Sequence, residues 1–358
     1  MIKVFYFYFN KNKYYSSTPI INNFKILFDN KNVFIKNNIE LTPFIEFVPQ
    51  LDKNIMLIDE IINKLDEYFE IAMINILKIL PNLHYEKIIF LGFHPKPFNV
   101  IQKYYDDIKK YNNTYTILWQ DDLQAYFDPP ERIKKFDYAD HIITPSPIYF
   151  SNMAKDLLLK TSFFFYSMDT DFIKDCDIDF FKRKNKILLS GCVNKNYRIR
   201  SEIQKEIVNK NFENIADYLE KPRNKEYNYK NGEILPYGIN YDKILGQYKG
   251  AFFGYYDYPK NFNLARIIEI LAVGCIGFFE ESPLLESELG LLPYKHYIPC
   301  TKDGKLITKI KYYEYFFSEI GEKIAKNGKK YVWENFSNNN GIQNYINIFN
   351  NISKIHKI

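Results

Sequence analysis

Arg266 and Glu269 stand three residues apart in the stretch Tyr258 to Glu281, Y-P-K-N-F-N-L-A-R-I-I-E-I-L-A-V-G-C-I-G-F-F-E-E. Leu264, Ile267, Ile268, Leu271 and Ala272 recur at helical spacing around them. Pro259 and the Asn261/Asn263 pair supply helix-start chemistry, and Gly274 closes the helix. The spacing therefore puts Arg266 and Glu269 on one face near the first two turns. An anion is welcome at such a start, because unpaired N–H groups and the positive end of the dipole point outward there. A carboxylate a turn further in accepts hydrogen bonds from hydroxyls. Together these groups suit a ligand with phosphate at one end and polyol at the other, the chemistry of a nucleoside diphosphate sugar. The competing reading is a glutamate paired with Arg266 on an exposed helix face. The strand Cys275 to Phe279 follows and ends in Glu280 and Glu281, which read as a polar loop.

A second constellation lies upstream. Strand Lys186 to Ser190 runs into Gly191 and Cys192, then into Tyr197-Arg198-Ile199-Arg200 at a helix start. A glycine at a strand end lets backbone approach a phosphate, and arginine offers a bidentate charged fork. A surface helix with solvated arginines would read the same way. Tyr237, in L-P-Y-G, follows an expected strand and suits either a nucleotide base or a plain turn.

The pattern R-x-x-E-I-L-A-x-G-C followed by a strand, with I-A-K-N-G-K-K-Y-V (Ile324 to Val332) about fifty residues on, resembles the C-terminal half of GT-B glycosyltransferases. The likeness is to the spore-maturation-type and "glycosyl transferases group 1" families, and it runs from about Lys186 to Phe336. It implies that Glu269 binds the donor ribose and that Tyr197 and Arg200 belong to the donor site, Arg200 fitting the spacing better than Arg198. It also implies that the last helix, roughly Asn339 to Ile352, crosses back to the first domain. Many retaining members carry a second glutamate eight positions upstream, where this chain has Asn261. Retention or inversion is thus undecided.

Before that region the candidates are carboxylates and a histidine. Asp121 and Asp122 follow the strand Thr116 to Trp119 and could take a proton from an acceptor hydroxyl, with His94, after the strand Ile88 to Leu91, as the second candidate base. A helix cap or polar loop is the competing reading for the aspartates. Phe163 to Asp171, F-F-F-Y-S-M-D-T-D, ends in a D-x-D. That is the device by which GT-A glycosyltransferases hold a metal, and Asp169 and Asp171 would be the ligands in that alternative. Its position at an apparent domain junction favours a linker with capping aspartates. A non-catalytic sugar-nucleotide-binding or scaffold protein of the same fold is a further alternative.

Composition narrows the classes. At 358 residues, with 46% hydrophobic and 25% charged, the chain has the balance of a globular protein of one large or two ordinary domains. A net charge of +5 with acid and base interspersed tolerates anionic ligands and argues against a nucleic-acid partner, whose binders carry basic stripes. Cys176, Cys192, Cys275 and Cys300 show no metal spacing and read as reduced, buried thiols. The apolar N-terminus reads as a strand, and no run approaches a membrane span. A cytoplasmic location follows, with peripheral membrane contact open.

Strands alternating with helical patterns indicate an α/β protein with parallel, doubly wound sheets. Strands are read at residues 2 to 9, Val33 to Ile35, Ile88 to Leu91, Thr116 to Trp119, His141 to Thr144 and Phe163 to Tyr166. Helices are read over Leu51 to Leu80, which Pro81 ends, and over Ile101 to Ile108. Beyond a polar, irregular junction come strand Lys186 to Ser190, helix Arg198 to Val208, helix Tyr241 to Tyr248 and strand Ala251 to Tyr255. The expected architecture is GT-B, two Rossmann-like domains facing across a cleft. Residues 1–172 form the acceptor side, 173–336 the nucleotide-sugar side, and 337–358 the crossing helix. The expected activity is metal-independent transfer of a sugar, in glycan biosynthesis, from a nucleotide donor to a carbohydrate or glycoconjugate hydroxyl, with no cofactor beyond the donor as co-substrate.

Overall fold

The computed structural model describes residues 1–7, 27, 30–48, 64–93, 96–120, 133–144, 159–163, 167–168, 173, 176, 178–191, 197–209, 214–220, 243–257, 260–261, 264–302, 305–306 and 313–355. Among these the chain divides into two compact units. One holds Met1–Lys13, Asn23–Phe165 and Asn339–Ile358, and the other holds Tyr166–Asn338.

The first unit is built on β1 (Ile2–Phe7), α1 (Lys31–Lys36), β2 (Ile39–Pro43), α2 (Leu65–Ile79), β3 (Lys87–Phe93), α3 (Lys96–Lys103), α4 (Tyr105–Lys109), β4 (Thr114–Trp119), β5 (His141–Thr144) and β6 (Thr161–Phe163). Its strands form one parallel sheet in the order β2-β1-β3-β4-β5-β6. All six residues of β1 are buried, as expected of a strand covered on both faces. The period of two separates them cleanly. Phe5 and Phe7 pack with Phe69, Met73 and Ile76 of α2, whereas Ile2, Val4 and Tyr6 share the opposite core with Ile342, Tyr345 and Phe349. Those last residues belong to the C-terminal helix Asn338–Ile355, whose apolar stripe therefore covers the first unit's sheet.

Several segments differ from the sequence reading, among them the strand read at Phe163 to Tyr166, which is Thr161–Phe163, and the one read at Ala251 to Tyr255, which is Tyr248–Phe253. Val33–Ile35 is helical, within α1, and the strand comes after it at Ile39–Pro43. Three consecutive apolar residues fit either element. Here only Phe34 is buried while Val33 and Ile35 are 39% and 57% exposed, so burial falls on one residue in three. Asn38 then turns the chain at φ 60°, a conformation asparagine tolerates. The expected helix Ile101 to Ile108 is two pieces, α3 and α4, with Tyr104 between them. The helix read from Leu51 is described only from Leu65 onward.

The second unit contains β7 (Lys184–Gly191), α5 (Arg198–Val208), β8 (Ala216–Glu220), β9 (Tyr248–Phe253), β10 (Tyr256–Asp257), β11 (Lys260–Asn261), α6 (Leu264–Ala272), β12 (Ile276–Phe279), α7 (Pro283–Ser287), β13 (Ile298–Pro299), β14 (Thr301–Lys302), β15 (Lys305–Leu306) and α8 (Glu319–Asn335). The C-terminal helix is α9 (Asn338–Ile355). Five strands make a parallel sheet in the order β13-β12-β9-β7-β8. The chain leaves β7 for β8 on one side and returns to β9 on the other. The winding thus reverses between β7 and β9, and a crevice beyond the carboxyl ends of these two strands is where such sheets bind ligands.

Helix α6 is closed by its backbone. Gly274 adopts φ +75°, its N–H donates to the Leu271 carbonyl at 2.9 Å, and the Cys275 N–H donates to the Ile270 carbonyl at 3.2 Å. This is a Schellman end. The carbonyls left over are met by side chains: Arg183 donates to Val273 at 2.9 Å and to Gly274 at 2.8 Å, and the Trp333 indole donates to Ala272 at 3.0 Å. Trp333 lies on α8, the helix that carries the I-A-K-N-G-K-K-Y-V stretch. Its Gly328 packs so close that a Cβ there would lie 2.6 Å from the His296 carbonyl oxygen. Cys176, Cys275 and Cys300 are buried thiols outside any disulfide, and Cys192 lies outside the described residues.

Candidate functional site at the carboxyl edge of the second sheet

The first turn of α5 enters the reversal between β7 and β9. Tyr197 occupies the N-cap position with no side-chain cap, and no acidic residue follows in the first turn. Arg198 and Arg200 stand there instead, an arrangement the helix dipole disfavours unless an anion offsets it. Arg198 is paired with Glu202 one turn on, at 3.2 Å. Arg200 is directed elsewhere. Its Nε–H donates to the Gly254 carbonyl at 2.9 Å, and its guanidinium lies 4.3 Å from the Tyr197 ring and 5.2 Å from the Phe253 ring. An arginine from the helix after β7 is thus held by the end of β9, across the point where the winding reverses.

The peptide that accepts from Arg200 is held on its other side as well. The Tyr255 N–H, in the same peptide group as the Gly254 carbonyl, donates to Glu280 Oε2 at 2.9 Å. Glu280 follows β12 directly, is 3% exposed, and donates its own N–H to the Phe253 carbonyl at 2.9 Å. Its neighbour Glu281 donates its N–H to Thr301 Oγ1 at 3.0 Å. Glu280 opens the loop between β12 and α7, as its sequence context suggested, but its carboxylate is buried and bonded to the backbone at the end of β9. No local pattern marks it, because its partner is the backbone of another strand.

Helix α6 contributes the second group. Arg266 and Glu269 form an ion pair at 3.1 Å, and Glu269 is only 8% exposed. Burial pushes the Glu269 carboxyl above its usual range, and the Arg266 guanidinium pulls it back. Among the described residues Arg266 is the one cation recorded against this carboxylate. Such a group can take paired hydroxyls.

The remaining sequence candidates fall as follows. Gly191 ends β7, at the carboxyl edge. The backbone of Asn261 lies in β11, paired with Tyr256 in a two-residue antiparallel ribbon, three residues before α6 begins at Leu264. Asn263, Tyr237, His94, Asp121 and Asp122 lie outside the described residues, as do Asp169 and Asp171. The strands that lead to His94 and to Asp121, β3 and β4, end side by side with Phe93 opposite Trp119.

No protein-family model matches the chain, and no curated protein matches it in sequence. Solved structures do match in shape. An alpha-glucosyltransferase in complex with UDP and a 13-mer DNA superimposes with a TM-score of 0.59 at 12% identity over 98% of this chain and 100% of that one. The same is seen with UDP-glucose and DNA containing an abasic site, at a TM-score of 0.53 and 10% identity over 98% and 99% of the two chains. A glycosyltransferase from Rickettsia africae gives 0.52 at 11% identity over 98% of each chain. The fold is GT-B. Its two Rossmann-like units agree with the α/β architecture expected from sequence.

The comparison corrects one expectation. The interspersed charge and net +5 were read as excluding nucleic acid, yet chains of this fold are seen holding DNA beside UDP. Net charge sums over the whole surface, whereas phosphate binding depends on local placement of cations, so the exclusion does not stand. Among the described residues no helix is long and apolar enough to cross a membrane.

Proposed function

We propose that this GT-B chain is a glycosyltransferase that moves a sugar from a nucleoside diphosphate donor to an acceptor hydroxyl. The observation that carries the reading is the placement of Arg200 at the reversal of the second sheet, clamped by the Gly254 carbonyl and flanked by two aromatic rings. In this reading Arg200 and the amino end of α5 receive the diphosphate, and they stabilise the charge that develops as it leaves. Glu269 receives the ribose hydroxyls, with Arg266 holding the carboxylate ionised and oriented. Gly191 lets the backbone of β7 approach the phosphates, and Tyr197 shields their outer side. These groups supply positive charge at the leaving group without a metal, so the reaction is proposed to be metal-independent.

Asp121, Asp122 and His94 are the proposed sources of the base that takes the acceptor proton. They come directly after strands β4 and β3 in the chain, and those two strands end side by side. The acceptor is proposed only as a hydroxyl, and nucleic acid belongs in the panel alongside glycans and glycoconjugates.

The test is a thermal-shift panel of nucleosides, nucleoside diphosphates and nucleotide sugars, followed by donor hydrolysis and transfer assays. A bound donor raises apparent stability by about 2.7 kcal/mol at a hundred times its Kd. A melting temperature unmoved by every diphosphate in the panel would overturn the donor site. Binding without turnover would leave a sugar-nucleotide-binding protein of the same fold.

A further inference from the structure

We propose that Glu280 is a positioning residue for Arg200, acting through the single peptide group between Gly254 and Tyr255. The inference rests on the donor reading of Arg200 and deepens it. One planar amide is gripped at both ends: its carbonyl oxygen accepts from Arg200 Nε–H at 2.9 Å, and its N–H donates to Glu280 Oε2 at 2.9 Å. The signs are matched. The carboxylate lies at the positive end of the amide dipole and the guanidinium at the negative end, so each polarises the amide in the sense that strengthens the other's hydrogen bond.

Glu280 cannot itself be a catalytic residue on this geometry, since it is 3% exposed and its side chain is turned to the backbone of the neighbouring strand. Its own N–H is fixed to the Phe253 carbonyl at 2.9 Å, so the carboxylate is anchored to the end of β9 from two directions. A carboxyl group this well buried is costly unless it is hydrogen-bonded, and the Tyr255 N–H supplies such a bond. The work assigned here is to keep the 254–255 amide from rotating. Any rotation of the amide would break the bond from Arg200 Nε–H and loosen the guanidinium that packs against the Tyr197 and Phe253 rings.

The experiment compares wild type, Glu280→Gln, Glu280→Ala, Arg200→Ala and the double variant Arg200→Ala/Glu280→Gln. Side-chain ¹⁵N NMR reads the exchange of Arg200 Nε–H with solvent, without any ligand. Calorimetry with UDP, ADP, GDP and their nucleosides reads binding. The expected result is slow exchange in wild type, accelerated about tenfold or more by Glu280→Gln. Affinity for the diphosphate that binds should fall about three- to tenfold at unchanged nucleoside affinity, and Glu280→Gln should cost nothing further once Arg200 is Ala. Fast exchange already in wild type overturns the proposal. So does equal loss for nucleoside and diphosphate, or a loss that adds in full to Arg200→Ala, either of which marks Glu280 as merely structural. Should the Ala variant fail to fold, Gln retains the volume and an accepting oxygen and carries the test. If no diphosphate binds wild type while Glu280→Gln still frees the Arg200 proton, the donor reading fails and the positioning role stands.

Discussion

Glu269 meets Arg266 at 3.1 Å along one face of α6 while only 8% of the glutamate is exposed. An exposed pair at this spacing would be unremarkable, contributing about 0.2–0.5 kcal/mol and needing no other purpose. Burial changes the balance, because the desolvation of a carboxylate costs more than one partly exposed arginine returns. A carboxyl held above its normal range by burial and tempered by the Arg266 guanidinium is the kind of group that gathers at functional sites.

Replacing Glu269 by Gln keeps the shape and removes the charge. Charge-assisted hydrogen bonds to ribose contribute on the order of 1.5 to 3 kcal/mol, so donor affinity should fall about tenfold to a hundredfold. Nucleoside and nucleoside diphosphate should weaken alike, since the contact is to the sugar both share. Equal calorimetric affinity of wild type and E269Q for the diphosphate would remove Glu269 from the site.

Arg200→Ala should separate those two ligands. Its proposed partner is phosphate, so diphosphate binding should drop by about tenfold or more while the nucleoside is held as before. The salt dependence of diphosphate binding should flatten in the variant. A variant that loses both ligands equally would place Arg200 in the structure of the crevice and not on the donor.

Much of this site could be read from sequence wherever the signal is periodic and local. Helix Arg198–Val208 has the bounds its pattern implied, and α6 ends at Gly274 because the apolar repeat stops where a residue able to take positive φ begins. What was hidden lacks either period or locality. Strands β10 and β11 are two residues each, too short to register, and they place the Asn261 backbone in a ribbon ahead of α6. Edge strand β8, A-D-Y-L-E, offers no apolar run. Glu280 is informative only through an amide 25 positions away, which no spacing rule connects to it.

Gly274→Ala tests how far the closing of α6 matters to the site it carries. A left-handed conformation costs an L-residue about 1–2 kcal/mol, and a Cβ would also come within 3.3 Å of the Arg183 guanidinium that caps the helix. Denaturant titration should show a loss of about 1–2 kcal/mol or more with the slope unchanged. A loss below about 0.5 kcal/mol would mean that the helix end relaxes without strain.

Activity should survive chelation. The charge on the departing diphosphate is assigned to Arg200 and the α5 dipole, neither of which depends on a divalent ion. Transfer in excess EDTA should stay within about twofold of the untreated rate. Activity abolished by EDTA and restored by Mn²⁺ would redirect attention to Asp169 and Asp171.

His296 gives the second unit a pH signature. Its Nδ1 accepts from the Leu292 N–H at 3.1 Å, its ring stacks on Tyr331 at 4.6 Å, and the backbone of α8 presses against its carbonyl at Gly328. Protonation would turn the accepting nitrogen into a donor facing a donor. Burial first, and then the charge of Lys295, push the His296 pKa below its ordinary value of 6.5. Between that value and the lower folded one, the unfolded chain binds a proton that the folded chain refuses, so stability must rise with pH across the window. Its contribution is fully present above about pH 6.5, is lost as pH falls toward the folded pKa, and levels off below it. The difference in urea midpoint between wild type and His296→Asn should therefore shrink on going from pH 7.5 to pH 5. A difference that is constant with pH, or that grows in acid, would show that the ring accepts protons as readily folded as unfolded, and that its packing against Tyr331 rather than its neutral nitrogen is what the fold retains.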